Sequence, residues 1–113
     1  YKMNVFYLYK SKVKNKKYTM VMPSYNHRHN FGDSRYRDYT LINDRNSKYY
    51  LPDKADREKV KKAYINRHKK DKGLNSIHAP SELSMVILWS EPTLNGGIKA
   101  FEKKHNVTIK KMF

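Results

Sequence analysis

Met3-Asn4-Val5-Phe6-Tyr7-Leu8-Tyr9 and Lys17-Tyr18-Thr19-Met20-Val21-Met22 are two runs of strand-forming residues, separated by Lys10-Ser11-Lys12-Val13-Lys14-Asn15-Lys16. β-Branched and aromatic side chains fit a pleated, half-buried surface, so this pattern predicts a β-hairpin with a lysine-rich connector. Pro23 closes the second strand because it has no N–H for the ladder. A third strand is expected over residues 28–31, stopped by Gly32-Asp33.

Downstream the period changes from two to about four. Asp53, preceded by Pro52, is placed to accept the free N–H groups of a helix over residues 54–70. Val60, Ala63, Tyr64 and Arg67 share one face of it. The apolar stripe is narrow, so this helix must pack on something to persist. Gly73 is the expected helix stop, in a loop over residues 71–80. Ser81-Glu82-Leu83 then opens a helix that is apolar on most sides and ends at Pro92, with Trp89 read as core. Thr93 caps a third helix ending near His105, with Leu94, Ile98 and Phe101 as its buried seam. Gly96-Gly97 costs that helix on the order of 1 kcal/mol per Gly, which points to a close helix contact there or to a start later than Thr93.

Residues 32–52 show no clear period; Tyr36 and Tyr39 are expected in the core, with hydroxyls on Asp33 or Asp38. From Val107 the chain reads as a frayed or partner-bound basic tail. The expected class is therefore α+β: a small antiparallel hairpin or three-stranded sheet followed by about three helices. One basic domain spans residues 1–106, with a basic C-terminal tail at 107–113.

Composition narrows the function. The 113 residues carry 25 Lys+Arg against 10 Asp+Glu, a net charge of +15. Mean hydropathy is -0.99, yet 15 residues are Phe, Trp or Tyr, which favours a folded basic domain over a disordered polycation. No apolar run approaches the roughly 18 residues of a membrane span, and no charged-then-apolar leader is visible. Without Cys there are no disulfides, thiolate metal sites or thiol nucleophiles. The charge balance points to a polyanionic partner.

Four blocks recur in a specific order: Phe31-Gly32-Asp33-Ser34-Arg35-Tyr36 leading into Asp38-Tyr39-Thr40; Tyr64-Ile65-Asn66-Arg67-His68; Ile87-Leu88-Trp89; and Pro92-Thr93-Leu94 with Ile98. Over about residues 31–104 this order resembles a family of small basic proteins of unknown function encoded by large nucleocytoplasmic DNA viruses. The sequence departs from that pattern at Ser84-Met85-Val86 and at Gly73-Leu74-Asn75. The resemblance implies a virion-associated protein, present in the host cytoplasm or nucleus during infection; it implies no activity.

Three basic groups are candidate contacts. Lys10, Lys12, Lys14, Lys16 and Lys17 put five lysines in eight residues, and alternation on a β-ribbon would project them to one side. Edge-strand protection is the alternative role for such lysines, but five in eight residues exceed what it needs. Arg28, Arg35 and Arg37 interleave with His27, His29, Tyr25 and Tyr36, a mixture suited to gripping phosphates and stacking on bases. Over residues 53–72 nine cations face four carboxylates, among them Lys59, Lys62, Arg67, Lys69 and Lys70. A solvated helix face with pairs such as Glu58–Lys62 explains that run equally well.

His27-x-His29 is a possible metal half-site lacking a third ligand, and Asp33, Asp38 and His68 are a conceivable magnesium set. Carboxylates in turns more often cap backbone N–H groups. No Ser-His-Asp spacing, phosphate loop or carboxylate pair stands out, so no catalysis and no cofactor are expected. The reading is a non-enzymatic protein that binds nucleic acid without sequence preference. The alternative is a minor capsid protein cementing acidic viral neighbours.

Overall fold

In the computed structural model, which describes residues 4–113, the hairpin forms as the pattern requires. Strand β1 (Asn4–Lys10) pairs antiparallel with β2 (Lys16–Met22), Leu8 opposite Met20 and Lys10 opposite Tyr18. The chain turns through residues 11–15, with Asn15 in the left-handed region at φ 66° and the Ser11 N–H donating to the Lys17 carbonyl. Pro23 opens a single 3-10 turn (Pro23–Tyr25) that delivers β3 (His27–Asp33) to the far side of β2.

The fourth strand corrects the sequence reading. Val107–Lys111, expected to fray, forms β4 and pairs in parallel with β1, from Asn4 opposite Val107 to Leu8 opposite Lys111. Strand order is therefore β3-β2-β1-β4, and the sheet is mixed. Only Val107 and Ile109 carry the alternation that buries β4, too short a signal to stand out among the lysines. The sheet accordingly runs past residue 106.

The helices begin with a four-residue piece, α1 (Tyr39–Ile42), in the stretch that showed no period. Asp38 caps it by accepting the Leu41 N–H. Helix α2 (Lys54–His68) starts at its Asp53 cap but ends before the expected Gly73 stop. Helix α3 (Pro80–Leu83) runs directly into a π-helical turn (Ser84–Leu88), so the expected second helix is one α turn followed by a wider one. Helix α4 (Leu94–His105) is capped by the Thr93 hydroxyl on the Gly96 N–H. The α+β class holds, with four strands and four α-helical pieces among the described residues.

The core lies between one sheet face and the C-terminal helices. Phe6, Leu8, Met20, Met22, Phe31, Val107 and Ile109 meet Leu83, Ile87, Leu88, Trp89, Ile98 and Phe101 there. Four consecutive residues, Val86 to Trp89, are all buried. The close contact expected at the glycine pair is at Gly97: a Cβ there would stand 2.0 Å from the Ile87 carbonyl oxygen. At Gly32, φ is +75° and a Cβ would meet Leu88 at 2.8 Å, so β3 passes tightly over the π turn.

Among the described residues no helix is long and apolar enough to cross a membrane.

Candidate nucleic-acid interface

Alternation along the strands sorts their side chains. With Phe6, Leu8, Met20 and Phe31 inward, Tyr7, Tyr9, Thr19, Val21, Arg28 and Asn30 stand on the other face. There Tyr9, Lys10, Lys12, Val13, Thr19, Val21, Arg28 and Asn30 line a shallow depression of about 390 Å³. Tyr9 is 40% exposed, and Lys10, Lys12 and Arg28 are exposed as well. Asn30 accepts from the Thr19 and Ser11 hydroxyls, which fixes the floor of this surface. Lys14 and Lys16 are exposed at the adjoining turn. The expected one-sided lysine ribbon does not form, because residues 12–15 reverse the chain instead of extending it.

A larger cleft, of about 700 Å³, lies on a different part of the molecule between α2, residues 32–38 and the π turn. Its α2 wall is the predicted stripe, Val60, Ala63, Tyr64 and Arg67. The rings of Tyr64 and Trp89 stack at 4.0 Å with planes 6° apart, and His68 extends the stack at 4.3 Å from Tyr64. Burial, helped by the nearby Asp71 carboxylate, pushes the Tyr64 hydroxyl up to about 12.

The facing wall is held by ion pairs. Asp38, 2% exposed, accepts Lys17 Nζ at 2.7 Å as well as the Thr40 hydroxyl and the Leu41 N–H. Arg35 grips Asp33 with Nε and Nη2 at 3.0 and 2.7 Å. That bidentate bond, joined by the Arg35 N–H, holds the Asp33 carboxyl at about 2. Lys17 and Arg35 are thus committed internally, whereas Arg37 and Arg67 are exposed and carry no carboxylate partner among the described residues.

The predicted contact residues therefore divide. Lys17, Arg35, Arg37 and Arg67 meet in the cleft; Lys12 and Arg28 meet on the sheet face, and Lys10 borders it with its ammonium over the Phe113 ring. Lys59 and Lys62 are exposed on α2, off the cleft stripe by the helical period, and Lys69 and Lys70 are exposed just beyond its end. Glu58 makes no ion pair with Lys62; it accepts the Tyr39 hydroxyl instead. Tyr39 is buried as expected, but on Glu58 and not on Asp33 or Asp38, while Tyr36 is 65% exposed and outside the core. The Arg35 guanidinium lies over the Tyr36 ring, 5.8 Å from its centre, which keeps the ring at the surface. Trp89 is in the core at 5% exposure.

The histidine pair gains a neighbour that sequence could not supply. His27 and His29 stack at 5.4 Å, and His78, from the loop before α3, packs on His27 at 5.1 Å and on Tyr25 at 4.3 Å. Among the described residues, however, no group of three or more His, Asp or Glu is arranged to hold a metal ion. Asp33 and Asp38 face the same cleft as His68, but both are occupied by basic partners.

Comparison with known protein families, curated proteins and solved structures finds no match for this chain. What the fold adds to the sequence blocks is convergence. Gly32, Asp33, Tyr36 and Asp38 of the first block, Tyr64, Arg67 and His68 of the second, and Leu88 and Trp89 of the third all line the one cleft. The Val60-to-Arg67 stripe was the readable sign of that cleft. Tyr9 was readable too, as the outward member of the Phe6–Tyr9 alternation.

Proposed function

We propose that this protein binds nucleic acid without sequence preference, through the outer face of its sheet and the adjoining lysine turn. In the viral setting that the sequence blocks imply, the polymer bound is the genome. The observation that carries this reading is the depression that groups Tyr9 with Lys10, Lys12 and Arg28. An exposed ring on a flat strand surface offers a stacking platform to any base, worth about 1–3 kcal/mol per stacked base. Cations around it supply the phosphate contacts, each of which releases counterions and steepens the salt dependence. The net charge of +15 supplies long-range attraction.

The test is binding of the purified protein to fluorescent strands of about 30 nucleotides, single and duplex, from roughly 50 to 300 mM salt. Sub-micromolar affinity near 150 mM that falls steeply with salt is expected. Reversing the charges of Lys12, Lys14 and Lys16 together flattens the slope, and Tyr9→Ala weakens the single strand more than the duplex. Affinity weaker than about 100 µM near 150 mM, in the range of weak non-specific attraction, overturns the reading and leaves an acidic protein neighbour as the partner.

A further inference from the structure

We propose that the cleft between α2 and residues 32–38 is a discrete site for one nucleoside phosphate, its base against the aromatic wall and its phosphate on Arg37 and Arg67. The inference rests on the nucleic-acid reading for its ligand class, but it uses a surface that shares no lining residue with the sheet-face depression.

The space suits a ligand of that size. About 700 Å³ lies within the roughly 300–1,000 Å³ typical of small-molecule sites. Its wall chemistry is divided in the way a nucleotide is divided. Tyr64, Trp89, Val60 and Leu88 provide apolar and aromatic surface, and the exposed Tyr36 ring stands at the same cleft.

The cations decide the charge of the ligand. Four line the cleft against two carboxylates, and Lys17 and Arg35 already neutralise Asp38 and Asp33. Arg37 and Arg67 remain, one from each wall and both without a carboxylate. Two guanidiniums facing one space repel each other until an anion lies between them, and their planar forks match phosphate oxygens. The site is also fixed before any ligand arrives. The Lys17–Asp38 pair, the α1 cap and the bond from the Tyr49 hydroxyl to the Arg35 carbonyl, 3.1 Å, hold one wall. The Tyr64–Trp89 stack holds the other.

Trp89 is the sole tryptophan, so intrinsic fluorescence reports on this cleft. The full chain is titrated with adenosine 5′-monophosphate, adenosine and inorganic phosphate, and separately with the labelled strand. Saturable change of Trp89 emission by the monophosphate is expected, with adenosine and phosphate each at least about tenfold weaker because each lacks one half of the recognition. Arg37→Ala with Arg67→Ala weakens the monophosphate at least about tenfold. Tyr36→Ala, also at an exposed position, reduces it toward inorganic phosphate. Neither variant moves the thermal midpoint, whereas charge reversal at Lys12 and Lys14 leaves monophosphate binding intact.

No saturable response, or equal response to the monophosphate and to either half of it, overturns the proposal. Strand binding that leaves Trp89 emission unchanged, together with no monophosphate binding, overturns the cleft and spares the sheet-face reading. Monophosphate binding without strand binding does the reverse. Where both bind, competition between them assigns the site to a nucleotide within a strand, and independence assigns it to a free nucleotide; both support the site.

Discussion

Helices α2 and α4 are similar in length and opposite in construction. Over 12 residues α4 buries Gly97, Ile98 and Phe101 and lies against the Ile87 carbonyl. Over 15 residues α2 buries nothing completely. It is attached by side-chain tethers: Glu58 to Tyr39, Arg57 to the Leu51 and Pro52 carbonyls, Lys61 to the Ser90 carbonyl, and the Tyr64–Trp89 stack. One helix is part of the core, and the other is a charged wall laid against it. A helix of α2's length is marginal alone in water, so its tethers, not its sequence propensity, keep it formed.

The largest effect should come from α4. Phe101→Ala, at 0% exposure, is expected to cost about 3–5 kcal/mol by urea unfolding. Tyr64→Ala on α2 should cost clearly less while changing Trp89 emission and near-ultraviolet circular dichroism. Equal losses would break the contrast between the helices.

Next is Glu82, 1% exposed, which accepts the Asn75 N–H at 2.9 Å and pairs with Lys104 at 2.6 Å and His105 at 2.7 Å. Glu82→Gln leaves Lys104 and His105 facing a neutral amide and should cost about 1.5–3 kcal/mol, the range for a lost hydrogen bond to a charged group. Burial alone would raise the carboxyl's pKa, but Lys104, the Asn75 N–H and His105 outweigh it and hold it below the usual value of 4.5. The sign follows directly. The unfolded chain takes up this proton first, so Glu82's stabilisation is complete above about pH 4.5 and is lost as pH falls through its lower folded value. His29 adds an earlier loss. Burial, then the neighbouring His27 and His78 rings, lowers its pKa below 6.5, so stability begins to decline as pH drops past that value. A denaturant midpoint measured from pH 8 to 3 should therefore fall in two stages, and Glu82→Gln should shrink the lower one, to which Asp33 also contributes.

A smaller effect carries a sign that helix propensity reverses. Alanine favours helices over glycine by about 1 kcal/mol, yet Gly97→Ala should destabilise by about 1–3 kcal/mol because backbone must move aside. Gly96→Ala, whose Cβ would meet the Glu91 and Thr93 side chains at 3.1 and 3.0 Å, should cost less. The smallest effect belongs to α2's outer face: replacing Lys59 and Lys62 by Gln should shift stability by no more than about 0.5 kcal/mol per residue. Native-state hydrogen exchange sharpens the whole comparison. Amides of α2 should open with a free energy well below the global value, and those of α4 near it.

Most of the fold was legible where one residue does one local job. Pro23, Asp53 and Thr93 mark their boundaries because capping and ladder chemistry act over three or four residues. The π turn was not legible, since an apolar run reads alike whether its turns are narrow or wide. Strand β4 was hidden because its partner is about a hundred residues away and only two of its side chains are buried. The cleft was half legible: the α2 stripe announced that something lay opposite, while the identity of that wall depends on a fold that brings Tyr36 and Trp89 within one space. Lys17 shows the limit of reading charge from sequence. It counts as one more basic residue until its ammonium is found on a buried aspartate.

The parallel pairing of β1 with β4 also sets the order of events during biosynthesis. Three strands can zip together as soon as residue 33 has left the ribosome, but β1 keeps one unpaired edge until residues 107–111 follow. Throughout that interval the nascent sheet presents an open row of backbone donors and acceptors beside Phe6 and Leu8, the template on which strands of other chains add. Pairing with β4 thus covers the edge of β1, and the open edges pass to β3 and to a short β4 that ends in lysines.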